Sequence, residues 1–192
     1  DNFADFYQIN HHSSDSKSIF NNKGVKYVYI ASNHASHADY AISALSKDKI
    51  VYLEKPIAVT KQQLSRLVKH VNNASTPIYA GYNRPFSRAI LDLQTHVLGI
   101  GDIPITLNCF VSAHKIPLNH WYRDKNEGTR VCGNVGHWID LAVHILSWTK
   151  LPDKWDIQVA YSNPSETDDD ISISLISSRG DLIVIVITSR SE

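Results

Sequence analysis

Three short apolar runs in the first half of the chain, at 25–31, 50–53 and 78–81, constrain its fold more than any other feature. Each has strand length and is rich in Val, Ile and Tyr. Helical stripes separate them. Ala38, Ala41, Ile42 and Leu45 fall at i, i+3, i+4 and i+7, and Leu64, Leu67, Val68 and Val71 give a second stripe behind the capping box Thr60-x-x-Gln63. Strand–helix–strand–helix–strand alternation predicts right-handed crossovers and a parallel sheet. The carboxyl ends of such strands line one edge, and ligands bind just beyond them. Here the three ends carry Ser32-Asn33-His34, Glu54-Lys55-Pro56 and Tyr82-Asn83-Arg84.

The pattern changes after Tyr82-Asn83-Arg84-Pro85. Phe86, Ile90, Leu93 and Val97 mark a helix ending at Gly99, and 105–114 alternates as a strand. Residues 115–130 form a polar loop holding His120, Trp121 and Tyr122, and a helix is predicted over about 134–147. Three strands follow, at about 156–162, 170–178 and 181–188, the last two joined by the turn Arg179-Gly180-Asp181. Ile171, Ile173 and Leu175 alternate with Ser172 and Ser174, which suits a sheet with one apolar and one small polar face. The fold class is therefore α/β plus α+β, with an open mixed or antiparallel sheet in the second half. The boundary falls between 84 and 85. Ahead of the first strand, 3–9 has helical spacing, His11-His12 reads as a solvated loop, and 18–22 as a short helix or turn. Asp168-Asp169-Asp170 reads as a solvated turn.

Nineteen basic and nineteen acidic side chains leave no formal net charge, which argues against nucleic-acid binding. No apolar run approaches the roughly 20 residues of a membrane span, and no signal-peptide pattern opens the chain. Cys109 and Cys132 form no CxxC pair, so a reducing cytoplasm is the expected setting. The chain has no Met and opens on Asp1-Asn2-Phe3, so the expectation is a piece of a longer protein.

Lys55 lies where a strand meets the ligand edge. A lysine there can donate to a substrate oxygen and, when desolvated, can exchange a proton near neutral pH; the alternative is a surface ion pair. In Gly133-Asn134-Val135-Gly136-His137-Trp138-Ile139-Asp140, a helix would put His137, Asp140 and His144 on one face. A metal site is disfavoured, because i, i+7 imidazoles stand about 10 Å apart along a helix. The preferred reading has His137 facing the ligand, with Asp140 and His144 structural, against the alternative that His137 is a buried and satisfied core histidine.

These motifs, in this order, resemble the glucose–fructose oxidoreductase / inositol dehydrogenase / rhizopine catabolism (Gfo/Idh/MocA) family of NAD(P)-dependent oxidoreductases. The matching stretches are 28–37, Ala44-Leu45, 51–58, 81–87 and 133–141. The resemblance implies a partial dinucleotide-binding (Rossmann) domain over 1–84 and a substrate-binding and dimerisation α+β domain over 85–192. It implies a nicotinamide cofactor, NAD favoured over NADP, held by Ser32, Asn33, His34, His37, Glu54, Lys55, Pro56 and Arg84. Lys55 and His137 are the implied catalytic pair. Arg84, Tyr122 and Asn134 are candidate substrate contacts beside them. No metal is implied. The substrate would be a sugar, sugar nucleotide or cyclitol, oxidised at a secondary hydroxyl, and the partner a second copy of the chain through the second sheet.

Two departures qualify this. Many members carry Asp four residues before the histidine, where this chain has Gly133. No GxGxxG occurs in the chain, and that turn holds the dinucleotide phosphates, so weak cofactor binding by this segment alone is expected. The alternative to an enzyme is a non-catalytic dinucleotide- or sugar-sensing regulator on the same fold. Retention of both Lys55 and His137 favours the enzyme.

Overall fold

The computed structural model describes residues 2–128, 130–162 and 170–191. Asp168 and Asp169 of the expected acidic turn lie outside them.

The first sheet has β1 (Tyr27–Ile30), β2 (Ile50–Leu53) and β3 (Ile78–Ala80), all parallel and in sequence order. Ile30 pairs with Leu53, and Leu53 with Ala80, so the three strands end level. The crossovers are α3 (His37–Leu45) and α4 (Lys61–Val71), preceded by the short helices α1 (Asn2–Phe6) and α2 (Ser16–Phe20). The Thr60 side chain accepts from Gln63 N, and Gln63 Oε1 accepts from Val59 N. Val28, Ile30, Val51 and Leu53 pack against Ala38, Ala41, Ala44, Leu45 and Leu67. Within β2 only Val51 and Leu53 are fully buried. The helices cover one face, and the other carries exposed Tyr27 and Tyr29, with Tyr29 stacked on Tyr52 at 4.3 Å. Such one-sided burial follows from the two-residue period of a strand.

The second sheet has β4 (Thr106–His114), β5 (Trp155–Tyr161), β6 (Ile171–Ser177) and β7 (Leu182–Ser191), ordered β4-β7-β6-β5. The β4–β7 pair is parallel and the others antiparallel, so the sheet is mixed. Ile171, Ile173, Leu175, Ile183, Ile185 and Ile187 form its buried face, under α6 (Gly136–Ser147). Phe110 stands on the opposite face and is exposed.

The helix expected to stop at Gly99 is α5 (Arg88–Ile100), closed one turn position later by Gly101 at φ 82. Left-handed backbone favours glycine there. The start of the last helix also differs. A π-turn, Val131–Val135, precedes α6 and displaces Asn134 from the regular helix.

The β6–β7 turn is a polar hub. Asp181 is fully buried and accepts from Ser177 Oγ at 2.5 Å and Ile105 N at 3.0 Å. Arg179 Nη2 donates to it at 2.8 Å, while Nη1 reaches Asp102 at 2.5 Å and Thr149 Oγ1 at 2.9 Å. Burial alone would raise the Asp181 carboxyl, but Arg179, Ser177 and the Ile105 N–H together hold it below the usual carboxylate range. One arginine thereby joins the hairpin, the α5–β4 connection and the end of α6.

Candidate active site

The level strand ends bring Ser32-Asn33-His34, Glu54-Lys55-Pro56 and Tyr82-Asn83-Arg84 to one edge. The Lys55–Pro56 peptide is cis. Tyr29 hydroxyl donates to Glu54 Oε1 at 3.3 Å, and Ser32 and Ser36 hydroxyls meet at 2.6 Å.

Lys55 Nζ donates to the Gly133 carbonyl at 2.9 Å. That bond carries the first half's lysine to the π-turn of the second half, next to His137. Desolvation lowers the Lys55 amine below its ordinary range; Glu54 opposes this and Arg84 adds to it. His137 is the second residue of α6, edge-on to Tyr82 at 5.9 Å. Burial, with Arg84 and Lys55 nearby, pushes its imidazole down to about 4. It is a neutral ring at ordinary pH, able to accept a proton at one nitrogen and donate from the other. Its Nδ1 is buried and has no hydrogen-bond partner among the described residues. Arg84 Nε, Trp138 Nε1 and Asp140 Oδ2 are in the same condition. Arg84 lies over the Trp138 ring, 4.1 Å from its centroid, in cation–π geometry. Burial pushes the Asp140 carboxyl up, with His144 opposing. Asp140, expected to be structural, keeps a buried Oδ2 without a partner among the described residues, where buried polar atoms are ordinarily paired.

Two histidines expected beside a cofactor are turned inward. His37 is 1% exposed, with Nδ1 at 2.8 Å from Pro56 O and Nε2 at 2.9 Å from Ser32 O. Neither nitrogen faces the crevice; the ring braces the first polar cluster against the second. His34 is buried beneath the 115–130 loop, its Nδ1 3.0 Å from Glu127 O and its ring edge-on to Trp121 and Tyr122. Burial lowers its imidazole, partly offset by the Glu127 carbonyl.

Glu127 is the residue that sequence reasoning missed. It is 9% exposed, and its carboxylate accepts from Ala35 N at 2.9 Å and Asn33 Nδ2 at 3.5 Å. It thus fastens the 115–130 loop over the end of β1. The only sequence signal was a charged residue inside an aromatic-bearing loop. Adjacent loop residues line two recesses. Trp121 joins Ser32 and Asn33 around a cavity of about 330 Å³. Tyr122 and Asn134 line another of about 310 Å³ with His114, His120 and Arg130.

Gly133 explains how closely these parts pack. A Cβ there would overlap the Tyr122 hydroxyl and Cζ and would crowd His34 Cε1 at 2.9 Å. No group of three or more metal-ligating side chains is gathered among the described residues, and no described helix is long and apolar enough to cross a membrane. Both cysteines are free.

Residues 1–82 match the model of an oxidoreductase family with an NAD-binding Rossmann fold. Inositol 2-dehydrogenase of Salmonella typhimurium is 30% identical over 91 residues, 47% of this chain and 27% of that protein. Inositol 2-dehydrogenase of Pseudomonas fluorescens is 26% identical over 155 residues, 79% of this chain and 43% of that protein. The chain thus spans less than half the length of these curated relatives. Among solved structures, myo-inositol dehydrogenase from Lactobacillus casei with NAD(H) and myo-inositol superposes with a TM-score of 0.79 at 20% identity, over 97% of this chain and 55% of that one. A levoglucosan dehydrogenase in complex with NADH and levoglucosan gives 0.82 at 17% identity, over 98% and 54%. These likenesses confirm the partial Rossmann sheet joined to an α+β unit.

Proposed function

We propose that the chain, whose residues 1–82 match an oxidoreductase family with an NAD-binding Rossmann fold, is a Gfo/Idh/MocA-type protein that supplies the reaction end of an NAD-dependent dehydrogenase. The reaction is hydride transfer between the nicotinamide and a secondary hydroxyl of a sugar, sugar nucleotide or cyclitol. One observation carries this reading: a neutral His137 with a buried, unpartnered Nδ1 in the same crevice as a desolvated Lys55.

The residues present fit a nicotinamide. Ser32, Asn33, Glu54, Pro56 and Arg84 stand at the strand ends where the ring and its ribose would be held, while His34 and His37 shape that wall from behind. NAD, when bound, accepts or returns the hydride. Lys55 takes the hydroxyl proton at Nζ while neutral. His137 holds the same oxygen through a ring nitrogen and stays uncharged throughout. Tyr122 and Asn134 orient the remaining hydroxyls, and Arg84, fixed on Trp138, fills the crevice wall and excludes water. NAD is favoured over NADP because the matching family model is NAD-binding and two similar solved structures, the Lactobacillus casei and levoglucosan dehydrogenases, are complexes with NAD(H) or NADH. Residues 1–84 serve the cofactor and 85–192 the substrate. The open face of the second sheet, with exposed Phe110, is the surface for a second copy of the chain. The setting proposed is the cytoplasm, consistent with free cysteines.

The test is the NADH absorbance band, followed with a panel of sugars and cyclitols on the full-length protein. Lys55→Ala is expected to lose about 10²–10⁴-fold in rate, the usual contribution of a general base. Equal rates in the two forms would remove Lys55 from the mechanism. A sensing role without turnover is favoured by one feature, the lack of a side chain at Gly133. It predicts NADH binding with no substrate-dependent absorbance change.

A further inference from the structure

We propose that Tyr122 is a positioning residue for Lys55: its phenol takes the side-chain space of residue 133, so that Lys55 Nζ meets a neutral backbone carbonyl there. Three observations carry this. Gly133 is buried within the π-turn, and any Cβ on it would overlap the Tyr122 hydroxyl and Cζ. Its carbonyl receives the Lys55 amine at 2.9 Å. Tyr122 is held by its surroundings: its backbone N–H donates to His120 Nδ1 at 3.2 Å, and its ring lies edge-on to His34 at 5.2 Å and to Trp121 at 5.4 Å. Residue 133 and Tyr122 therefore exclude one another. While the tyrosine is in place, residue 133 can offer Lys55 only main-chain atoms.

The chemistry follows from charge. A carbonyl dipole accepts a hydrogen bond from the ammonium without adding a full negative charge. A carboxylate in that space would hold the proton on Lys55. As built, desolvation dominates at Lys55, with Glu54 alone opposing it. Tyr122 thereby keeps the lysine easy to deprotonate. The inference rests on the dehydrogenase reading for its catalytic meaning, but not for its test.

The test compares wild type with Gly133→Ala, Gly133→Asp, Tyr122→Ala and the two double variants. Melting temperature reads the mutual exclusion without cofactor or turnover. Each Gly133 substitution should lower it in the presence of Tyr122 and lower it less in the Tyr122→Ala background. Equal losses in the two backgrounds would overturn the proposal. The milder Gly133→Ala pair decides the matter if Gly133→Asp does not fold. The second readout is the pH dependence of amine acylation at Lys55, followed by mass spectrometry of its peptide. In Gly133→Asp/Tyr122→Ala the labelling midpoint should rise by about one to three pH units. Should that double variant not fold, the melting comparison alone decides. An unchanged midpoint in a folded double variant would overturn the proposed effect on Lys55. Intact coupling in a protein that turns over no sugar or cyclitol would instead sink the dehydrogenase reading and leave the Tyr122–Gly133 pairing standing.

Discussion

Lys55 Nζ and the Gly133 carbonyl oxygen lie 2.9 Å apart, across a sequence separation of 78 residues. This bond joins the end of a parallel strand to the π-turn before α6. It brings the lysine to the turn that leads into the helix carrying His137.

The pH dependence of turnover should reflect both groups. On the proposed mechanism Lys55 would act as a base only when neutral, and its amine sits below the ordinary value of 10.5. Oxidation should therefore rise with pH, with an inflection below that value. His137, pushed down to about 4, stays neutral and should contribute no inflection near its ordinary 6.5. Measuring kcat/KM for oxidation across pH 5 to about 10 checks this, and a limb titrating near 6.5 that disappears in His137→Asn would contradict it.

His137 also links stability to pH. Its folded value is depressed, so the unfolded chain binds the proton more readily between 6.5 and about 4. Its contribution is complete above 6.5 and is lost as pH falls through that window. The full cost is at most about 3 kcal/mol. Urea midpoints at pH 7 and pH 5 should show a larger drop in wild type than in His137→Asn.

His37→Ala should cost about 1–3 kcal/mol, because it removes the buried ring that lies between the carbonyls of Ser32 and Pro56 and donates to one of them through its N–H. Chemical denaturation measures this. A change within the error of the midpoint would show that the ring is not a brace.

Arg179→Ala should be the most damaging substitution in the second half. It leaves fully buried Asp181 without its guanidinium, at an expected cost of about 3–5 kcal/mol. The double variant Arg179→Ala/Asp181→Ala should lose less than the sum of the two singles, since the second change removes the stranded charge. Strict additivity would mean that the two side chains act independently.

The parallel sheet was readable because strand and helix periods alternate cleanly between Tyr27 and Ala80, and the polar clusters at Ser32, Lys55 and Arg84 follow from where those strands stop. The inward turn of His34 and His37 was not readable. Their partners, the Glu127 and Pro56 carbonyls, are main-chain atoms, and any residue type can present one. The same holds for Glu127, whose partner is the Ala35 amide. The π-turn over Val131–Val135 leaves no periodic signature in five residues. Gly133 looked like a missing acid, and only the placement of Tyr122 shows that its bareness is steric. The helix expected to end at Gly99 runs on to Ile100 and is capped by Gly101, a difference set by backbone geometry at φ 82.

The parallel pairing of β4 with β7 has a consequence for the order of assembly. Ile105 N bonds Asp181, 76 residues later, so nearly the whole second half must be synthesised before β4 finds its neighbour. The 115–130 loop and the π-turn sit inside that span. Long-range pairing of this kind is slow, because a large loop must close before any contact rewards it. The first sheet, built from near neighbours, can form while the ribosome is still reading the second. The crevice thus acquires its lysine wall early and its histidine wall late, and a chain stalled between the two would expose the unpaired edge of β4 to other molecules.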